Sequence, residues 1–206
     1  MLPQTLRRFF WDQDFDRLRW PEDLEAVARR LLAAGDGPAL AWLRKEVGDS
    51  RLRDLIRATR GRDLDARRLR FWQIVLDLPA DQVDAWLLDP ARRVWEERVS
   101  RDAEPVGDTE TCVAALDDLA AMKLAAVTQR GTRRNFVDVH ALAVRRPLAD
   151  LLGLYRCKYG VTDTTHVLCG LSYFDDAESE RMPDMLAPAD WAAIKRDIRA
   201  WIKALA

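Results

Sequence analysis

The chain has 206 residues, a net charge of −1 and 49% hydrophobic residues. This composition is that of an ordinary globular protein, and the near-neutral charge gives no global attraction to nucleic acid or to a membrane. The sequence shows no signal peptide and no apolar run near the roughly 20 residues that span a bilayer. Its three cysteines are widely spaced, which favours free thiols. We therefore expect a cytoplasmic protein of one or two domains without membrane association.

The first half of the chain predicts a series of short helices. Pro21, followed by two acidic residues, marks the start of the first helix, and apolar residues then recur at helical spacing. Glycine-containing breaks separate the next helices, and Asp63 is positioned to cap the fourth one. Among the helices after the first, the second and third are predicted at about 38–47 and 50–60, the fourth includes 69–76, and weaker helical pieces follow at about 80–88 and 90–99.

The middle of the chain differs in composition from both halves. Residues 100–110 are polar and contain Pro105 and Gly107, which is typical of a linker or a long turn. Residues 111–116 are partly β-branched and suit one short strand, after which the pattern is helical to the end. We therefore predict an all-α or nearly all-α fold with two helical modules, 1–99 and 111–206.

A lysine interrupts the most apolar predicted helix of the second half. The residues three and four positions from Lys123 are all apolar: Leu119, Ala120, Ala126 and Val127. A lysine in such surroundings either extends its ammonium to water or meets an anion, because an unpaired buried ammonium is costly. Arg130 follows two turns later on the same face, and antiparallel packing of the next helix would bring Asp138 near both cations.

Two readings of this group follow from the spacing. Two cations and a carboxylate in a partly buried cleft suit a nucleoside triphosphate, because the cations neutralise phosphate charge while the carboxylate orients the lysine or acts as a base. The alternative is a structural Lys–Asp pair that joins two helices. Spacing alone leaves both readings open.

The segment "LDDLAAMKLAAVTQRGTRRNFVDVHAL" and the residues after it closely resemble the C-terminal helical half of the AbiEii/AbiGii nucleotidyltransferase toxins of abortive-infection and toxin–antitoxin systems. The resemblance covers about residues 110–202, and its most specific part is the spacing of Lys123, Arg130, Asp138 and Leu142. It implies that Lys123 and Asp138 are catalytic in an active member and that Lys123 and Arg130 bind nucleotide phosphate. The family usually has Lys-Asp-Phe where this chain has Arg134-Asn135-Phe136, so one carboxylate is missing.

The resemblance does not extend to the carboxylates that would hold magnesium. The family supplies them from a Gly-Ser turn followed by Asp-x-Asp, and this chain contains no Gly-Ser dipeptide. The acidic pairs that remain are Asp12/Asp14, Asp14/Asp16, Asp63/Asp65 and Asp108/Glu110. We predict that none of these pairs holds catalytic magnesium. His140 and His166 lack partners at metal spacing and are expected to be structural.

The first half, at about 9–76, resembles a small helical family with an antitoxin-like character. The features that carry this likeness are an acidic-aromatic opening, a tryptophan in the second helix and the Phe71-Trp72 pair. The predicted helices at 38–47 and 50–60 also have helix-turn-helix proportions, with positive charge on the second helix. The arginines concerned are Arg51, Arg53, Arg57 and Arg60. They fit either a solvated face or contacts with DNA phosphates.

We therefore predict a protein related to toxin–antitoxin systems that lacks transferase activity of its own. It would act by binding a protein partner, which is a full-length nucleotidyltransferase or a second copy, or by binding nucleotide, and it would need no cofactor. One alternative is a minimal nucleotidyltransferase that modifies tRNA or protein with a nucleoside triphosphate and magnesium. Another is a DNA-binding antitoxin that represses its own operon.

Overall fold

A computed structural model describes residues 2–89, 116–183, 185 and 189–206, and within them every regular element is helical. The predicted all-α fold is therefore confirmed for this part of the chain. The predicted linker at 100–110 and the helix at 90–99 lie outside the described residues. So does the suggested strand at 111–116, except for Leu116, which begins a helix.

Two compact units make up the chain, Met1–Trp86 and Leu87–Leu205. The first unit opens with two short 3₁₀ turns, Gln4–Phe9 and Phe15–Arg17. Its helices are α1 (Leu24–Ala34), α2 (Gly37–Val47), α3 (Asp49–Thr59) and α4 (Ala66–Val75), and α5 (Ala80–Leu87) ends at the unit boundary. The helices of the second unit are α6 (Leu116–Gln129), α7 (Arg133–Arg145), α8 (Leu148–Tyr159), α9 (Thr165–Ser172), α10 (Asp175–Glu178) and α11 (Trp191–Leu205).

Aspartate caps and one buried tryptophan organise the first unit. Trp72 is fully buried, and its indole N–H donates to the Leu32 carbonyl at 3.0 Å, which joins α4 to α1. The start of α4 is capped by Asp65, whose side chain accepts from the Arg68 N–H at 2.7 Å. The prediction that Asp63 caps this helix is wrong, because the Asp63 carboxylate pairs with Arg29 at 2.7 Å instead.

The break between α2 and α3 is a single residue. Gly48 has a φ of +82°, and it ends α2 and precedes α3 directly, so Asp49 and Ser50 belong to the second helix. A helix-turn-helix motif joins its helices by three or four residues. The helix pair in this chain therefore has a shorter connection than that motif.

The second unit is built around α6, which packs against α7, α8 and α9, while α11 packs on α7 and α9. Ala120, Ala121, Leu124 and Val127 form the buried side of α6. Gly170 of α9 allows a close approach to α6, since a Cβ at this position would lie 3.2 Å from the Cα of Thr128. No helix in the described parts of either unit is long and apolar enough to cross a membrane.

The helices α6 and α7 form an antiparallel hairpin with a tight turn. The Thr132 hydroxyl caps α7 by accepting from the Asn135 N–H at 3.3 Å. Near the open end of the hairpin, Arg146 pairs with Asp117 at 2.7 Å. Lys158 of α8 pairs with Asp118 at 2.8 Å, which ties the same end of α6 to a third helix. These contacts fix the register in which α6 and α7 face each other.

Replacing Gly170 by alanine is expected to lower the free energy of unfolding by about 1 kcal/mol. The added Cβ would lie 3.2 Å and 3.3 Å from backbone atoms of Thr128 and Val127. Overpacking of this kind costs about 1–3 kcal/mol, against a gain of about 1 kcal/mol in helix propensity. Gly153 in α8 is the matched control, because its nearest neighbour is a side-chain atom at 4.0 Å and alanine there should stabilise the helix. Urea denaturation of both variants checks this, and a stabilised Gly170→Ala would contradict the close approach.

Candidate functional site

The interhelical ion pair predicted from the sequence is present. The Nζ of Lys123 lies 2.7 Å from the Oδ2 of Asp138, across the α6–α7 seam. The two side chains are 24% and 35% exposed, so a ligand in solution can reach them. The neighbours of Lys123 at positions 120 and 127 are buried apolar residues, which places the ammonium at the edge of the core. The carboxylate of Asp138 thus supplies the anion that this position requires.

Arg130 lies immediately after the last residue of α6. Its N–H donates to the Ala126 carbonyl at 2.9 Å, and its own carbonyl accepts from the Asn135 side-chain amide at 3.2 Å. The side chain of Arg130 is exposed. Within the described residues no acidic side chain pairs with it, so its guanidinium does not join the Lys123–Asp138 pair.

Sequence reasoning missed Arg133, which anchors the start of α7. Its guanidinium donates to the carbonyls of Ala177 and Glu178 at 3.0 Å and 2.8 Å and lies 4.8 Å from the centre of the Trp191 ring. Its backbone N–H donates to the Glu180 carboxylate at 2.7 Å. No local pattern marks this role, because every partner lies more than forty residues away in the sequence.

Glu178 connects this anchor to the last helix. Its carboxylate accepts from the Trp191 indole N–H at 3.1 Å and from the Lys195 ammonium at 2.5 Å. Partial burial raises the pKa of Glu178, but the bonds from Lys195 and Trp191 and the charge of Arg133 outweigh burial and hold this pKa below its usual range. The ionised form of Glu178 is therefore the form that ties α10 to α11.

Both histidines have partners that fit the expected structural role. The Nε2 of His140 lies 3.0 Å from the Oδ2 of Asp197, and its ring stacks on Trp201 with centroids 5.3 Å apart. The hydrogen bond from His140 lowers the pKa of Asp197. The Nε2 of His166 lies 3.0 Å from the hydroxyl oxygen of Tyr155. The His140–Asp197 contact joins α7 to α11.

The acidic pairs considered for magnesium are engaged by arginines or by helix starts. Asp108 and Glu110 lie outside the described residues. The partners of the others are Arg30 for Asp12, Arg17 and the Asp16 N–H for Asp14, Arg7 for Asp16, Arg29 for Asp63 and the Arg68 N–H for Asp65. A magnesium ion needs several oxygen ligands in one place. Across the described ranges no group of three or more His, Cys, Asp or Glu residues could hold a metal ion.

The four arginines proposed for DNA contact have different surroundings in the structure. The Nε of Arg53 donates to the Leu76 carbonyl at 2.8 Å, which holds α3 against the end of α4. Arg57 lies 3.9 Å from Asp54, and Arg60 ends α3 in a left-handed conformation with a φ of +54°. Arg51 is exposed. Nucleic-acid binding by this helix stays a prediction, with Arg53 already engaged inside the unit.

In the described residues every regular element is helical, and a lysine–aspartate pair bridges the antiparallel α6–α7 hairpin within the segment that resembles the AbiEii toxins. The family model of the AbiEii nucleotidyl transferase toxins of type IV toxin–antitoxin systems matches residues 12–201. The chain therefore belongs to this family. The match includes nearly all of the first unit as well as the second, a longer extent than the resemblance at about 110–202. Comparisons with curated proteins and with solved structures found no match.

Replacing Glu178 by glutamine is expected to reduce the acid sensitivity of folding. Because the folded-state pKa of Glu178 is below its ordinary value of 4.5, its contribution to stability is present above that value and is lost as the pH falls through the folded-state pKa. Thermal unfolding of Glu178→Gln should therefore change less than that of the native chain between about pH 5 and pH 3. Asp176→Asn, an exposed acid in the same short helix, should keep the native profile. Identical profiles for all three proteins would refute this role.

A double-mutant cycle on Lys123→Met and Asp138→Asn should give a coupling free energy of about 0.5–1 kcal/mol. The pair is only partly exposed, so this coupling should exceed that of the control cycle on Lys158 and Asp118, whose side chains are 32% and 51% exposed. Denaturant unfolding of the four proteins in each cycle measures both values. Additive effects of Lys123→Met and Asp138→Asn would show that the pair does not hold in solution.

Proposed function

We propose that this member of the AbiEii family acts by binding a nucleoside triphosphate at Lys123 and Asp138 and by binding a protein partner, without transferring the nucleotide itself. The observation that carries the proposal is the partly exposed Lys123–Asp138 pair, whose Nζ and Oδ2 atoms are 2.7 Å apart. The engagement of the acidic pairs by arginines supports the non-transferring part of the proposal.

The chemistry of the pair suits an anion in solution. An ammonium has three donors, so Lys123 can keep one bond to Asp138 and give others to phosphate oxygens. The guanidinium of Arg130 adds a planar pair of donors that matches a phosphate group. Asp138 keeps the lysine oriented toward the seam, which reduces the entropy lost when a ligand binds.

A protein partner is the second part of the proposal. The family is defined by toxin–antitoxin systems, which supports an antitoxin as the partner. A full-length nucleotidyltransferase and a second copy of the chain are the other partners that the sequence suggests. The antitoxin-like character of residues 9–76 would place such contacts on the first unit.

The alternative function is a minimal nucleotidyltransferase, and the family description favours it. In this alternative Lys123 neutralises the phosphate charge that develops during transfer, and Asp138 orients the lysine or accepts a proton from the attacking hydroxyl. The acceptor would be a tRNA end or a protein hydroxyl. The two functions share their residues and differ only in whether transfer occurs.

Calorimetric titration with each of the four ribonucleoside triphosphates tests binding. Lys123→Ala should weaken the affinity by about tenfold to a hundredfold, because hydrogen bonds to charged groups contribute about 1.5–3 kcal/mol. Arg130→Ala should weaken it less. Lys158→Ala is the matched control, since it also removes a lysine from an ion pair in the second unit and should leave the affinity unchanged. If Lys158→Ala and Lys123→Ala behave alike, the binding site is not at Lys123.

The same proteins then distinguish binding from transfer. Each labelled triphosphate is incubated with the native chain, magnesium and total tRNA, and a parallel reaction contains the protein alone. We expect no label in RNA or in protein. Label that appears with the native chain and disappears with Lys123→Ala would establish the transferase alternative instead.

A further inference from the structure

Three cations and one carboxylate share the exposed side of the α6–α7 hairpin near its turn. Arg134 precedes Asp138 by four residues on α7 and is therefore on the same face, one turn closer to the connection between the helices. It is exposed, and like Arg130 it has no ion-pair partner in the described segments. Because the charge of Lys123 is balanced by Asp138, the four side chains together have a net charge of +2.

The hydrogen bonds of the turn fix the backbone positions of Arg130 and Arg134. The side-chain amide of Asn135 donates to the Arg130 carbonyl at 3.2 Å, and Thr132 caps the N–H of the same asparagine. Gly131 is buried beneath the Phe136 ring, where a Cβ would approach a ring atom to 2.9 Å. The backbones that carry Arg130 and Arg134 are therefore preorganised relative to each other, and Asn135 is a positioning residue.

The neighbouring arginines serve other purposes. Arg133 is committed to α10 and to Trp191, and Arg146 pairs with Asp117 at the far end of the hairpin. Arg145 is exposed but lies about three helical turns from Arg134. Apart from Arg145 at the far end, the arginines of the described hairpin without an acidic partner are thus the two at its turn, Arg130 and Arg134.

We propose that Arg134 is a third phosphate-binding residue, which with Arg130 binds the end of the phosphate chain of a nucleotide and makes the site selective for triphosphates over monophosphates. This inference rests on the proposed nucleotide binding at Lys123. Each phosphate group adds negative charge, and the attraction to a fixed group of cations grows with that charge. A ligand with a single phosphate engages Lys123 and gains little from the arginines.

The test measures the affinities of adenosine mono-, di- and triphosphate and of inorganic tripolyphosphate for the native chain, Arg134→Ala, Arg134→Lys and Arg145→Ala. Arg134→Ala should weaken triphosphate and tripolyphosphate binding about tenfold and monophosphate binding by much less. Arg134→Lys should retain part of the affinity, because it keeps the charge but loses the planar donor pair. Arg145→Ala, an exposed arginine of the same helix, should behave as the native chain.

The outcomes separate this inference from the proposed function. If the native chain binds no triphosphate, the proposed function fails. If Lys123→Ala loses binding while Arg134→Ala matches the native chain, nucleotide binding stands and the role of Arg134 is refuted. An equal loss for monophosphate and triphosphate in Arg134→Ala would also refute it, since the residue would then not respond to the length of the phosphate chain. Equal losses of triphosphate affinity in Arg134→Ala and Arg145→Ala would also refute the role of Arg134, because the effect would then come from the general positive charge of the surface.

Discussion

The position of an ammonium group at the edge of an apolar core is the constraint on which the second unit depends. Lys123 has buried residues beside it on α6, and its charge is offset by Asp138, whose Oδ2 lies 2.7 Å away on α7. That pairing requires α6 and α7 to be antiparallel with a short turn between them. The Asp117–Arg146 pair satisfies the same register at the other end of the hairpin. A structural role of the Lys123–Asp138 pair in joining the two helices is therefore compatible with a role in binding a ligand.

The departure from the family pattern at Asn135 has a structural explanation in this chain. The family usually has an aspartate at this position, whereas the Asn135 amide here donates a hydrogen bond to the Arg130 carbonyl. A carboxylate cannot donate such a bond. The substitution removes a negative charge from a group of cations and at the same time fixes the turn that presents them. Both effects favour the binding of an anion at this end of the hairpin.

Local features of the chain were predictable, and contacts between distant segments were not. The Lys123–Asp138 pair follows from helical spacing and a short turn, so the contact between these two side chains could be predicted from the sequence. The break at 48–50 was predicted too long, because the φ of +82° at Gly48 lets one residue both end α2 and lead into α3. Asp63 was the predicted cap of α4, and only the tertiary position of Arg29 assigns Asp63 to a different role. The anchor formed by Arg133 joins segments more than forty residues apart and has no local pattern.

The relation between the ion pair and the arginines limits how such a site can bind its ligand. A phosphate that approaches Lys123 meets an ammonium whose charge Asp138 already offsets, so the net attraction at that point is small. In the proposed site, Arg130 and Arg134, which have no such counter-charge in the described residues, would supply the long-range attraction. Lys123 would give direct hydrogen bonds to the phosphate from a position that its ion pair fixes before the ligand arrives. Long-range attraction and direct contact would thus come from different residues, and the hairpin turn is the element that keeps them together.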